Sequence, residues 1–365
     1  MDLTILQNIR EFPPIFRKEA EKLWLSWYNT INDKVVIYLD LNYWINLLNA
    51  RLKVRNGEKF KEILLFLLEA KKAGMIICPV SGVLLEEAGK QTDLFTRSEM
   101  SKLMDELSDG IGLANQFTVY SLEVYLLINQ IELNKISTDI PIPIPIPIPI
   151  PIPNPNHYVW RRGMHRKLDA HFSPDNKIEN LLGSYLALAN VSTMECLGEG
   201  HRPGDELWQV YQELAQQSFK EKNENRSSYK SFRQLIEIEL IGHLKAILER
   251  YPEILPSDKF IPYFFERPNE FLKNGIPASY TYASVMAAYR HDLNRKYAAN
   301  DFFDAEHVAM GLGYHDLLIT ERELFSIVTN TLKKHDERLD SKIIFKSEDV
   351  IPAIESLLQK KIKIL

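Results

Sequence analysis

Four short apolar runs limit the folds open to this chain more than any other feature of its sequence. The runs are rich in β-branched residues and lie at residues 35–39, 75–80, 317–320 and 342–345. Runs of this length and composition are typical of strands that are buried on both faces of a parallel sheet. Amphipathic segments at 41–52 and 59–72 predict helices after the first run. Because strands that alternate with helices pair through right-handed crossovers, we predict an α/β fold with a parallel β-sheet flanked by helices.

A large helical insertion is predicted between the second and third strands. Residues 81–316 separate these strands, whereas a parallel crossover needs only one helix. Several stretches of this interval have the apolar spacing of amphipathic helices, at residues 181–196, 206–221 and 231–250. We therefore divide the chain into an N-terminal helical extension (1–32), a discontinuous α/β core (33–95 and 295–365) and an α-helical insertion (96–294).

A tract of seven consecutive Ile-Pro pairs lies within the insertion, at residues 140–153. Each proline lacks an N–H group and disfavours the α region for the preceding isoleucine, so a helix is excluded there. Polyproline II is the remaining regular structure, and at ~3.1 Å per residue it would extend about 40 Å. We interpret the tract as a semi-rigid linker. The alternative is a docking site for a proline-recognising partner.

The composition is that of a folded globular protein without an extreme charge. Lysine and arginine number 44 against 49 acidic residues, a formal net charge of -5, so the chain lacks the strongly basic character of a dedicated duplex-binding protein. The two cysteines, Cys78 and Cys196, lack metal-ligand spacing, which argues against a zinc finger or a disulfide framework. Residues 1–10 do not resemble a signal peptide, and no apolar run reaches the ~18 residues of a membrane span. We expect a cytoplasmic protein without a membrane partner.

Acidic residues follow two of the predicted strands directly. Asp40 ends the first strand, with Asn42 two residues later, and Thr320-Glu321 ends the third. In open α/β sheets, ligands bind outside the carboxyl ends of the strands, so both carboxylates lie where a catalytic group is expected. The alternative for Asp40 is a helix cap, because aspartate is favoured at that position.

Two further acidic pairs lie at predicted helix starts. Ser81 follows the second strand and Glu86 comes five residues later, while Asp301 and Asp304 share one helical face. The structural alternatives are a solvated Glu86/Lys90 pair and a capping role at the second helix. A solvated surface position is the favoured interpretation for the neighbouring Glu87. His307, one turn after Asp304, either orients a carboxylate or is an ordinary core or surface histidine, and the second interpretation is favoured.

In this order along the chain, the residues resemble those of the PIN-domain nucleases. Asp40 with Asn42, Ser81 with Glu86, and Asp301 with Asp304 match the motifs of that family, over roughly residues 33–90 and 295–350. The chain departs from the family at Thr320-Glu321, where glutamate replaces aspartate. The step at Tyr314-His315-Asp316 resembles one subgroup of the family. Asp316 precedes the third strand, whereas the candidate acids lie at its carboxyl end, some 13 Å away at ~3.3 Å per residue. We therefore predict a structural role for Asp316.

The resemblance implies a PIN-like sheet and a metal-dependent phosphodiesterase. It implies an endoribonuclease that cleaves single-stranded RNA with Mg²⁺ or Mn²⁺, and RNA is favoured over DNA by the habit of the family. Such nucleases include toxins and defence effectors, and a protein partner or inhibitor is a further expectation. The resemblance makes Asp40, Glu86 and Asp304 the core metal ligands, with Asp301 and Glu321 as outer or second-site ligands. Substrate contacts are assigned to Asn42, Ser81 and Thr320.

Positive charge for substrate binding is predicted after the proline tract. Residues 160–167 combine Trp160 with several cations, among them Arg161 and Arg162, and single-strand binding surfaces have this mixture of residue types. The favoured alternative is a solvated helix start with salt bridges between the two lobes.

Two other functions remain open at this point. One is a structure-specific DNA nuclease of the related flap type. The other is a catalytically silent PIN-like scaffold that binds RNA or a protein through the helical insertion. The glutamate at position 321 keeps the second alternative open.

Overall fold

The fold is described from a computed structural model of the chain. It describes residues 33–54, 57–88, 91, 93–109, 111–113, 116, 119, 120, 123, 124, 159–161, 209, 212–217, 220, 221, 224, 231–249, 275–292, 294–296, 298–332 and 343–362. The predicted N-terminal extension, the Ile-Pro tract and the predicted helix at 181–196 lie outside these residues.

The helices and strands follow one another along the chain from the first strand to a C-terminal helix. They are β1 (Val35–Leu39), α1 (Leu41–Leu52), a 3₁₀ helix (Gly57–Phe60), α2 (Lys61–Lys72), β2 (Ile76–Ile77), α3 (Gly82–Ala88), α4 (Leu94–Ser108), β3 (Ile111–Leu113), β4 (Val159–Arg161), α5 (Phe232–Glu249), α6 (Pro277–His291), α7 (Ala299–Tyr314), β5 (Leu317–Ile319), α8 (Arg322–Ile327), a π-helix (Val328–Leu332), β6 (Ile343–Ile344) and α9 (Ser347–Ile362).

A parallel sheet of four strands joins the first and last parts of the described chain. The strand order is β2-β1-β5-β6, and each neighbouring pair is parallel. Ile37 is paired with Leu317 at its centre. The predicted α/β class with a parallel sheet is therefore confirmed. The two central strands come from segments that are far apart in sequence.

The strands have the predicted positions: β1 has the predicted bounds, and the other three are shorter than their apolar runs. The second run shortens to β2 because Pro79 has no N–H group to donate to a ladder. Before it, the N–H of Cys78 leaves the sheet and donates to the carbonyl oxygen of Leu107 on α4, at 3.1 Å. The first predicted helix is confirmed as α1, and the second begins as the 3₁₀ helix and continues as α2.

Helices cover both faces of the sheet. On one face, Val35, Ile37 and Leu39 are buried in a single apolar cluster with residues of α1, α2, α4 and α9. On the other face, α7 packs against β1 and β5. Because α4 contributes Met104 and Leu107 to the first cluster, it packs as part of the α/β layer. The predicted boundary at residue 95 lies at the second residue of this helix.

A stack of three helices, α5, α6 and α7, joins the predicted insertion to the sheet. The middle helix, α6, packs against both of its neighbours. Close approach to α7 is favoured by small residues, since a methyl group added at Gly313 would lie 3.2 Å from the Cβ of Ala278. The predicted helix at 231–250 is confirmed as α5, and residues 212–217 within the predicted helix at 206–221 are helical.

A buried carboxylate ties this stack together. Glu123 is 1% exposed and accepts hydrogen bonds from the backbone N–H groups of Ala278 (2.6 Å) and Ser279 (2.9 Å) at the start of α6. It also accepts from the hydroxyl groups of Ser279 and Tyr314. Burial raises the pKa of Glu123 to about 7, although these hydrogen bonds lower it. The carboxylate links the first turn of α6 to the end of α7.

The predicted insertion contains a short pair of strands besides its helices. β3 and β4 form an antiparallel pair in which Arg161 is opposite Ile111. Each strand has three residues, which is too short for apolar alternation to be recognised in a sequence.

No helix of the described part of the chain has the length and apolar character that are needed to cross a bilayer.

Candidate active site

Asp40 lies at the carboxyl end of β1, in the middle of the sheet. Its backbone N–H donates to the carbonyl oxygen of Ile319, at 3.1 Å, which holds it beside the end of β5. Its Oδ1 accepts the backbone N–H of Tyr43, at 3.0 Å, and so caps α1. The capping interpretation is therefore confirmed. It does not exclude a second role, because the 4% exposed carboxylate also lies near other acids.

Asp304 and Glu321 are the other acids of this region. The pKa of Asp304 is raised to about 8. Burial is the largest cause, the negative charges of Glu87 and Glu321 add to it, and His307 lowers the pKa in part. Burial also raises the pKa of Glu321, as does the charge of Asp40. Glu321 therefore interacts electrostatically with both Asp304 and Asp40 at the sheet edge. We call Asp40, Asp304 and Glu321 the acidic cluster.

Asn42 and Thr320 flank the acidic cluster. The Nδ2 of Asn42 donates to Oε2 of Glu321, at 2.8 Å, across the ends of the two central strands. Thr320 is fully buried, and its side chain helps to lower the pKa of Asp40, which burial raises. Its hydroxyl has no hydrogen bond of good geometry within the described residues. By lowering that pKa, Thr320 favours the charged form of Asp40.

A chain of buried hydrogen bonds lies next to the cluster, on the side of the protein core. Glu87 Oε2 lies 2.7 Å from Nε2 of His307, and Nδ1 of His307 lies 2.6 Å from the hydroxyl of Tyr38. The same hydroxyl lies 2.8 Å from Oγ of Ser81. Burial lowers the pKa of His307, but Glu87, Asp40 and Asp304 outweigh it and raise the pKa overall. His307 therefore fixes Glu87 from the core of the protein.

Ser81 is placed differently from its predicted role in substrate binding. Its side chain is 1% exposed, and its Oγ is engaged by Tyr38 and by the backbone N–H of Leu84, at 3.2 Å. The hydroxyl caps the start of α3, so it serves the fold. This corrects the predicted substrate contact.

The interpretation of Glu87 as a solvated surface residue is wrong. Its side chain is 15% exposed and bonded to His307, whereas Glu86 lies in α3 with a side chain outside the described part of the structure. Helical spacing predicts the position of Glu87, since it follows the buried Val83 and Leu84 by four and three residues. The apolar neighbours of Glu86 concealed this signal.

Asp301 is used by the fold, and its predicted role as an outer ligand is corrected. Its Oδ2 accepts the backbone N–H of Ala298, at 2.9 Å, and so holds the residue that precedes α7. Its other oxygen is paired with Arg295. A carboxylate that is 2% exposed and bonded on both oxygens has little capacity for a metal ion.

Asp316 has the structural role that the sequence predicts. Its Oδ2 accepts the backbone N–H of Val36, at 2.8 Å, and lies 3.5 Å from Nζ of Lys361. This carboxylate therefore lies at the opposite end of β5 from the acidic cluster.

The predicted substrate cations are not tested by the structure. Arg161 is the last residue of β4, with a side chain outside the described part. Arg162 lies outside the described residues.

The described residues do not form a complete metal centre. No group of three or more of their histidine, cysteine, aspartate and glutamate side chains has the arrangement of a metal site. Hard carboxylate oxygens are nevertheless the ligands that Mg²⁺ and Mn²⁺ take in proteins. Asp40, Asp304 and Glu321 carry this type of ligand atom, but within the described residues they are not arranged as a metal site.

Comparison with known proteins adds no relative. The chain matches no protein-family profile, no curated protein and no solved structure.

The acidic cluster should make the metal-free protein less stable at alkaline pH. The pKa of Asp304 is raised to about 8 in the folded chain, from 3.8 without the fold, so the folded protein binds this proton more tightly. Stability is therefore greatest at low pH and falls as the pH rises between these values. For this carboxyl alone we expect a loss of about 2 kcal/mol between pH 6 and pH 8.

Denaturant unfolding in EDTA at several pH values measures this loss. Asp304→Asn removes the titrating group, so subtracting its pH dependence from that of the wild type separates Asp304 from Glu123 and His307. Identical pH profiles for the two proteins would contradict the prediction.

Proposed function

We propose that the protein is a metal-dependent phosphodiesterase of the PIN type, an endoribonuclease that cleaves single-stranded RNA with Mg²⁺ or Mn²⁺. The observation that supports this most strongly is that the charge of Glu321, at the carboxyl edge of a parallel sheet, interacts with both Asp40 and Asp304, which come from distant parts of the chain. Their carboxyl pKa values are raised. Burial is the largest cause of both shifts, and a bound divalent cation would favour the charged form of both carboxylates.

The chain's own residues provide most of what such a site requires. Asp40 and Asp304 would hold the ion, and Glu321, oriented by Asn42, would hold it or its water. A bound ion lowers the pKa of water and stabilises charge on the leaving oxygen. The hydrogen bond from His307 fixes the position of the Glu87 carboxylate beside the cluster. Thr320 lowers the pKa of Asp40 and so favours the charged form that an ion requires.

The setting of this activity is part of the same proposal. Asp40, Asn42 and the order of motifs along the chain resemble PIN nucleases, from which the preference for RNA and a role as a toxin or defence effector are taken. A cytoplasmic location fits the two widely spaced cysteines. An effector of this kind would require a protein partner or inhibitor to control it.

A catalytically silent PIN-like scaffold is the second candidate. Two observations favour it: Asp301 is fully engaged with Arg295 and the backbone N–H of Ala298, and Glu321 is bonded to Asn42. Both reduce the number of carboxylates that are ready to bind an ion. A scaffold would bind RNA without cleaving it.

The test is cleavage of labelled single-stranded RNA, single-stranded DNA and flap DNA by the purified chain. Each substrate is incubated with Mn²⁺, with Mg²⁺ or with EDTA. We expect cuts within single-stranded RNA that require Mn²⁺ or Mg²⁺ and stop in EDTA. Preference for flap DNA would replace the endoribonuclease by a structure-specific DNA nuclease. Binding of RNA without cleavage under all conditions would favour the scaffold.

A further inference from the structure

A cavity opens beside the candidate active site, between α1, α3 and α4. Its volume is about 480 Å³, which lies within the range of pockets that hold small organic ligands. Most of its wall is aliphatic, and this part is formed by Leu41, Ile45, Leu48, Leu52, Ala88 and Met100. Glu87 contributes to one side, but its carboxylate is already bonded to His307, at 2.7 Å.

Arg97 places a positive charge in this aliphatic wall. It lies in the first turn of α4 and is 4% exposed. Its Nε is buried without a hydrogen-bond partner, and no ion pair to its guanidinium is formed within the described residues. A cation without a partner is costly to bury. Its position near the positive end of a helix dipole adds to that cost.

We propose that this cavity binds a small organic anion with an aliphatic body, whose carboxylate or phosphate head pairs with Arg97. A guanidinium group is suited to both heads because it donates two parallel hydrogen bonds to either. The anion supplies the charge that Arg97 lacks, and the aliphatic wall covers the rest of the ligand. The described lining contains no aromatic ring, so it offers no stacking surface to a nucleobase. The ligand is thus distinct from the proposed RNA substrate.

The proposal is tested by titrating the full chain with three probes of equal chain length. Decanoate and decyl phosphate carry the two candidate heads, and decanol carries none. We expect saturable binding of at least one anion by calorimetry and a rise in melting temperature. The stronger of the two anions identifies the head. Equal binding of decanol, or no binding of either anion, overturns the proposal.

Two variants separate the head from the body of the ligand. Arg97→Met should weaken anion binding by about 30-fold or more, since truncating one member of a buried charge pair costs at least about 2 kcal/mol. Without ligand, its melting temperature should equal or exceed that of the wild type, because an unpaired buried cation is removed. Ala88→Leu keeps the charge but fills the aliphatic end, and it should also lose binding.

Arg51→Met is the matched control. Arg51 lies on α1 outside the cavity lining, and its guanidinium pairs with Glu106, at 2.6 Å. This variant should bind the anion as the wild type does. Unchanged binding by Arg97→Met, or a less stable ligand-free Arg97→Met protein, overturns the proposal, since either result means that Arg97 serves only the fold.

Discussion

Asparagine in place of Asp40 or Asp304 should lower the rate of metal-dependent RNA cleavage by at least about 100-fold, because loss of outer hydrogen bonds to metal ligands alone costs up to that much. Each change keeps the shape of the side chain and removes the negative charge that would hold the ion. Asparagine also caps helices well, so α1 should retain its start in Asp40→Asn. Initial rates at saturating Mn²⁺, with circular dichroism to verify the fold, measure the effect.

Asp316→Asn is the matched control for these substitutions. It changes the same residue type at the opposite edge of the sheet, before β5, where Asp316 contacts Val36 and Lys361. We expect it to cleave RNA at a rate close to that of the wild type. If Asp40→Asn and Asp304→Asn both remain active, the acidic cluster is not the catalytic site, and the proposed mechanism fails.

Replacing Glu123 by alanine should lower the free energy of unfolding by about 3–5 kcal/mol, as expected when one member of a buried, charged hydrogen-bond network is removed. The change leaves the backbone N–H groups of Ala278 and Ser279 and the hydroxyl of Tyr314 without their acceptor. The start of α6 and the end of α7 then lose the side chain that joins them. Denaturant unfolding followed by fluorescence gives the value.

Two variants separate the network from a general effect of losing a glutamate. Glu123→Gln keeps one acceptor oxygen but directs an amide N–H₂ at other donors, so an intermediate loss is expected. Glu237→Ala removes an exposed glutamate that pairs with Arg233 on α5, at 3.2 Å, and should change stability by no more than about 0.5 kcal/mol. A loss for Glu237→Ala equal to that for Glu123→Ala would contradict the network as the cause.

The sheet was predictable because its signals are local. β1 is a run of β-branched and apolar residues, and α1 has apolar spacing and an aspartate cap. Local patterns fail where the burying partner is distant in sequence. β3 and β4 are short strands that gain stability from each other. The helix α4 was assigned to the insertion, although its apolar residues belong to the same buried cluster as those of the sheet.

The acidic site was predictable in outline, but the use of each carboxylate was not. The ends of the central strands identify Asp40 and Glu321, since parallel strands align their carboxyl ends. Whether a carboxylate can bind a ligand depends on its contacts in the folded structure, and the spacing of residues in the sequence does not predict these contacts. Asp301 forms an ion pair with Arg295, and Glu87 is held inward by a hydrogen bond with His307.

The pairing of β1 with β5 has a consequence for synthesis on the ribosome. Ile37 has its sheet partner at Leu317, so the nascent chain must be translated past residue 319 before the central ladder closes. Contacts of such long sequence separation form slowly and expose apolar edges meanwhile. A partly translated chain also has Asp40 without Asp304. If the acidic cluster is the cutting centre, the polypeptide is inert towards RNA until residues 304 and 321 have emerged.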